Sequence, residues 1–199
     1  MKKYKYWNHN VAYYNWIKRK IKDRKNILDV GCGNGALIRF LNNGNNNLIG
    51  LDPSIDCVNI ANNLNKNQNI KFLVSKFEEF EVKTNSFDTI VFVASLHHME
   101  MDKAILKAKS LLKKNGILII VGLANPSSFL DYLIELLRII PSKIISYFKS
   151  EKTSEKLEIP TSYDLPKMSY VLKIINNLLP NYKFRYGLYY RYLLTWIKN

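Results

Sequence analysis

A chain of 199 residues with 47% hydrophobic side chains reads as one domain with a full core. No run of about 18 or more uncharged apolar residues occurs, which excludes a spanning helix of ordinary length. The formal charge of +14, with a pI near 9.6, permits an acidic partner such as nucleic acid, anionic lipid, or an acidic peptide or metabolite. Lysine and asparagine are abundant throughout, as an A/T-rich genome would produce, and no arginine-rich tract or RNA-binding aromatic signature stands out. The start, Met1-Lys2-Lys3-Tyr4-Lys5-Tyr6-Trp7, lacks the apolar core of a signal peptide, so a cytoplasmic location is expected. Cys32 and Cys57 give neither a disulfide framework nor metal-ligand spacing.

Residues 4–22 are rich in aromatics, and Val11 to Lys22 can form a helix with Asn10 as its N-cap. Aromatics ahead of the first strand either fold over a ligand cleft or cover the sheet. Ile27, Leu28 and Val30 then form a short apolar strand. It runs into Gly31, Gly33 and Gly35 and a helix beginning near Ala36. A strand, a glycine turn and a helix bring bare backbone N–H groups close to a ligand. Gly31-x-Gly33-x-x-Ala36 fits a loose dinucleotide fingerprint as well, so a nicotinamide oxidoreductase is an alternative at this point. Asp29 weighs against it. A carboxylate at the mouth of the strand suits a ligand with an ammonium group and sits poorly beside a pyrophosphate.

Leu28-Asp29-Val30-Gly31-Cys32-Gly33-Asn34-Gly35 resembles motif I of the class I S-adenosylmethionine-dependent methyltransferases, in particular the small type 11 group. The resemblance implies a Rossmann-like α/β fold: a seven-stranded, mostly parallel sheet with an antiparallel C-terminal hairpin and helices on both faces. It implies S-adenosylmethionine as cofactor and S-adenosylhomocysteine as product, with the glycine turn, Cys32 included, holding the methionine part. It also implies that the leading helix helps close the pocket, with His9 and Tyr14 as candidates there.

Leu48 to Leu51 is the second strand, and Asp52 ends it, 21 positions after Gly31. At that spacing an acidic residue meets a ribose hydroxyl pair. Pro53 and Ser54 start a helix, and the stretch resembles the family's second motif. Ile70 to Val74 is the third strand. The family's usual adenine-binding Asp is replaced by Lys76, leaving the backbone N–H of Phe77, or Glu78 or Glu79, to meet the ring. Ser86 to Ser95 is a near-continuous apolar fourth strand, as expected of one buried on both faces. It ends in Ser95-Leu96-His97-His98-Met99, which resembles the type 11 group at the same place. Ser95 would face the cofactor, and His97 or His98 would act as general base or hold the strand end. An Asp/Asn-Pro-Pro-aromatic tetrad and a Pro-Cys nucleophile are both absent, so nucleic acid is not expected as the acceptor.

Lys103 to Lys114 has helical period, and Asn115-Gly116 turns the chain into a fifth strand at Ile117 to Val121. The apolar stretch 129–148, broken by Pro141, is read as a substrate lid, a surface-bound membrane helix, or ordinary packing. Met168 to Leu179 is a helix, and Tyr182 to Ile197 a closing hairpin around Gly187. Tyr190-Arg191-Tyr192-Leu193-Leu194-Thr195-Trp196 resembles the ending of one type 11 subgroup. The expectation is a single domain over 1–199, with a cap helix in 1–24 and a lid or substrate insertion in 125–166. It is expected to methylate an O or N atom of a small molecule or modified peptide, possibly anionic. The remaining alternative is a non-catalytic or RNA-associated module built on the same fold.

Overall fold

Apolar runs without polar alternation mark strands that bury both faces, and in this chain they sit side by side. The computed structural model describes residues 9–129, 131–134, 136–137, 164–188 and 190–199. Seven strands form one sheet in the order β3-β2-β1-β4-β5-β7-β6. They are β1 (Asn26–Val30), β2 (Asn47–Asp52), β3 (Ile70–Val74), β4 (Phe87–Val93), β5 (Leu112–Leu123), β6 (Lys183–Tyr186) and β7 (Arg191–Ile197). The pairs among β1 to β5 are parallel, and β7 lies antiparallel between β5 and β6. The mixed sheet and closing hairpin are therefore as the sequence implied. β5 begins five residues before the expected Ile117, because Leu112 already pairs with Phe87 ahead of a register shift.

Side chains alternate between two cores, as the period of two in a strand requires. Leu28 and Val30 face one core with α4 (Met101–Leu111) and α5 (Met168–Leu178). Ile27 faces the other with α1 (Tyr14–Ile21), α2 (Ala36–Leu41) and α3 (Ile55–Leu64). The helices thus cover both faces, which is why the central strands carry no polar face. Ser54 caps α3, its hydroxyl accepting from the Cys57 N–H at 3.3 Å. Among the described residues, no helix is long and apolar enough to cross a membrane.

Asn10 does not cap a helix. A 3₁₀ turn, Val11–Tyr13, precedes α1, and Asn10 has helical dihedrals with no capping bond from its side chain. Its carboxamide oxygen instead accepts from Arg191 Nη2 at 2.6 Å, tying the leading segment to β7. Beside it the Tyr13 hydroxyl donates to the Leu188 carbonyl at 2.6 Å.

The described helical residues in 129–137 leave Phe129, Tyr132, Leu136 and Leu137 more than 60% exposed. The expected apolar stretch otherwise lies largely outside the described residues, as do 1–8 of the leading segment. Its start is well anchored. Asp131 accepts from Ser127 N, Ser128 N and the Tyr186 hydroxyl. Asn125 forms a parallel bridge with Lys167.

Gly35 closes the glycine turn with φ +72°, and a Cβ there would stand 2.4 Å from the Phe72 ring. A Gly35→Ala variant therefore meets left-handed backbone strain and a filled core together. The expected loss of stability is about 2–4 kcal/mol, read as a lower urea midpoint with unchanged slope.

Candidate active site

The strand order reverses between β1 and β4: β2 and β3 lie to one side of β1, and β5 onward lie beyond β4. Ligands of open α/β sheets bind outside the carboxyl ends of the strands at such a switch point. A cavity of about 400 Å³ opens there. Its lining includes Asp29, Gly31, Cys32 and Gly33 from the first turn and Asp52 and Pro53 from the second. Ser95 and His98 join from the end of β4, and Tyr14 from α1.

The turn is held by its neighbour strand. Gly31 and Cys32 both donate to the Leu51 carbonyl, at 2.8 and 2.9 Å. The Asp52 carboxylate takes the Gly33 N–H on Oδ2 at 2.8 Å and the Ser54 N–H on Oδ1 at 3.0 Å. Gly33 has φ +53° and nothing within 4 Å of where a Cβ would stand, so its bare backbone faces the open cavity. Ser95 donates to the Val30 carbonyl at 2.5 Å, fixing the end of β4 against β1.

Asp29 is 2% exposed, and its Oδ1 has no hydrogen-bond partner. Burial, and after it the Asp52 carboxylate, raise its pKa to about 7. A buried carboxylate without a donor is costly. A ligand bringing an ammonium group supplies both charge and donor. The residues present thus fit S-adenosylmethionine: one starved carboxylate for its amino group, a second carboxylate with lone pairs left for a ribose diol, and a side-chain-free loop between. The Cys32 thiol is pushed well up by burial and by the two carboxylates, so it is a packed neutral group and no nucleophile.

At the end of β4 the two histidines divide. Their rings lie 4.0 Å apart at 42°. His98 is exposed on the cavity, whereas His97 does not line it, and its Nδ1 is buried without a hydrogen-bond partner. Burial, then His98 and Arg191, push the His97 pKa down to about 4. Tyr14 lines the cavity and packs its ring 5.6 Å from Phe40. His9 precedes the 3₁₀ turn and is not a lining residue.

On the adenine side the contact expected from the sequence is the Phe77 backbone N–H, and the side chain of that residue is turned into the core. The Phe77 side chain is 2% exposed and packs edge-on against Phe92 at 5.5 Å, within the core and away from the cavity lining. Lys76 points to solvent and pairs with Glu79 at 3.5 Å, and neither they nor Glu78 line the cavity. Two contributors had no readable signal. Asn10 lines the cavity in the orientation that Arg191 gives it, a contact across 181 positions. Ala94 lines it with φ +53°, a conformation that alanine does not advertise.

Fold, switch-point cavity and paired carboxylates define a class I S-adenosylmethionine-dependent methyltransferase, and its cofactor is S-adenosylmethionine. Residues 28–120 match the family model described as a methyltransferase domain, of type 11. The nicotinamide alternative falls with this match. An uncharacterised protein of Methanocaldococcus jannaschii is 36% identical over 104 residues, covering 52% of this chain and 39% of that one. The chain thus spans well under half of that relative. A ubiquinone biosynthesis O-methyltransferase of Hahella chejuensis is 25% identical over 182 residues, 87% of this chain and 76% of that one. The crystal structure of the PH0226 protein of Pyrococcus horikoshii superposes with a TM-score of 0.67 at 16% identity, covering 95% of this chain and 89% of that chain.

Asp29 sets a pH signature. Its folded pKa, about 7, lies above its ordinary value of 3.8. Between these values the folded state keeps a proton the unfolded chain has lost, so this group's contribution to stability is full below pH 4 and declines as pH rises to 7. Asp29→Asn removes that loss. The variant is expected to melt at a higher temperature than the parent at pH 8 and to match it at pH 3.5. S-adenosylhomocysteine affinity of the parent should rise roughly tenfold from pH 6 to 8 as Asp29 ionises. In the variant it should be weaker and nearly flat.

Proposed function

We propose that this chain transfers a methyl group from S-adenosylmethionine to an oxygen or nitrogen atom of a small molecule or modified peptide. The observation that carries the reading is one cavity in which β1 and β2 present Asp29 and Asp52, while the end of β4 and α1 present His98 and Tyr14. The working unit is residues 1–199, with the leading segment as a cap and 125–166 as the acceptor-side insertion, in the cytoplasm. The relative named for ubiquinone biosynthesis supports an oxygen acceptor as the first class to try.

When bound, the cofactor supplies a methyl group on a positively charged sulfur that leaves as a neutral thioether. The protein's work is therefore alignment and proton handling. Asp29 holds the ammonium end, and Asp52 the ribose hydroxyls, while Gly33 lets the ligand lie against backbone. Fixing both ends aims the transferable carbon at the acceptor, and positioning of this kind is worth effective molarities of about 10⁵–10⁸ M. His98, open to the cavity, accepts the proton from an acceptor O–H or N–H. His97 stays neutral at physiological pH and so adds no positive charge beside it. Tyr14 closes the cavity from α1. An anionic acceptor is favoured by the chain's charge of +14.

Titration calorimetry with S-adenosylhomocysteine is expected to give micromolar binding. Asp52→Ala, which loses the diol contact and frees the Gly33 loop, should weaken it more than about tenfold, or 1.4 kcal/mol. Unchanged affinity would overturn the assigned cofactor contacts. With labelled methyl donor and a panel of phenols, carboxylates and amines, His98→Ala should lower kcat more than it changes KM. A variant as fast as the parent removes His98 as the base.

A further inference from the structure

A second feature lies at the opposite edge of the sheet, where the parallel strands begin. Lys18-Arg19-Lys20-Ile21-Lys22-Asp23-Arg24-Lys25 carries six basic residues and one acidic residue from the end of α1 into β1. The fold brings further lysines to it. The start of β5 contributes Lys113, and the start of β6 contributes Lys183. Two adjoining grooves, of about 490 and 360 Å³, share Lys22 and Arg24 in their lining.

The charge in these grooves is unevenly neutralised. Asp88 is engaged by Lys113 Nζ at 3.1 Å and by the backbone and side-chain nitrogens of Asn26 at 2.8 and 2.9 Å. Arg24 is fixed by donating from Nη1 to the carbonyls of Asp88 and Asn115, at 3.2 and 2.8 Å. Arg19, Lys20, Lys22, Lys25 and Lys183 are all exposed, and none forms an ion pair with a described residue. Lys22 holds this position with φ +51° and ψ −124°, where a lysine is strained. Among the described residues, Asp23 is the one other acidic side chain lining the grooves.

We propose that this basic edge binds the phosphodiester backbone of single-stranded RNA, as a docking surface separate from the methyl-transfer cavity. Charge without apolar anchorage favours this occupant over a membrane. Among the described residues, Ile197 is the one exposed large apolar side chain that lines the grooves. The apolar set Phe129, Tyr132, Leu136 and Leu137 follows the carboxyl end of β5, at the other edge of the sheet. One five-residue strand, about 17 Å, separates the two edges. Grooves lined by convergent cations suit a chain of phosphates, and contact to phosphate alone carries no sequence preference. The surface would therefore localise the protein on RNA and leave the acceptor to the cavity. It stands whether or not the acceptor assignment does.

The test is fluorescence anisotropy with a labelled 20-nucleotide single-stranded RNA over a salt series, using the whole chain. Five phosphate contacts predict a slope of log K against log salt of about −3.5. Lys20→Ala/Lys25→Ala should flatten it by about 1.4 and weaken binding equally for different sequences, with S-adenosylhomocysteine affinity unchanged. The control pair Lys76→Ala/Lys103→Ala, exposed beyond the carboxyl ends of β3 and β4, should leave the slope as it is. Equal loss in both pairs would reduce the effect to net charge and overturn the proposal. So would absence of RNA binding, or tighter binding to phosphatidylserine vesicles than to RNA.

Discussion

The Asp52 carboxylate accepts from two backbone N–H groups on different loops, Gly33 in the first turn and Ser54 at the head of α3. It is the point at which two strand-to-helix connections become one rigid floor. Each N–H would otherwise point into the cavity unsatisfied by protein. With both on one carboxylate, the glycine turn is placed to within a hydrogen-bond length of β2, and Leu51 completes the attachment through Gly31 and Cys32. The same carboxylate lines the cavity, so one side chain both shapes the site and faces its interior.

Asp29 is the counterpart on β1. Its burial would be a liability in a protein with no cationic ligand to receive, since desolvation and the Asp52 charge both oppose its ionised form. Stability is given up locally so that a positively charged guest finds a ready anion, which is how perturbed groups and binding sites come to coincide. His97 shows the mirror image. Burial and nearby positive charge keep an imidazole neutral beside the more exposed His98.

Much of this was readable in the residues. The parallel strands are apolar runs bounded by turns, and the glycine spacing after Asp29 with Asp52 ending β2 marked the ligand end of the sheet. What could not be read depends on contacts far apart in sequence. Asn10 looks like a helix cap by local chemistry, but Arg191 on β7 competes for its oxygen and wins. Phe77 is expected to offer its backbone N–H to the ligand, and nothing in its local sequence shows that its side chain packs on Phe92. Ala94 adopts a left-handed conformation because the turn after β4 requires it, at a residue type that gives no warning. The basic edge is half visible as a run at 18–25. Its other members join only when β5 and β6 start at the same edge.

The contacts of Asn10 with Arg191 and Tyr13 with Leu188 have a consequence for the order of assembly. They close loops of 181 and 175 positions, an entropy cost of about 5 kcal/mol for the first such closure in a flexible chain. β7 is inserted between β5 and β6, so β5 has an open edge until residues 191–197 have left the ribosome. A nascent chain can assemble β1 to β4 and the glycine turn while synthesis continues. The wall that Asn10 and Tyr14 add to the cavity is secured only once residues 188–191 are in place. A chain without residues 188–191 thus lacks the two contacts that tie this wall of the cavity to the sheet.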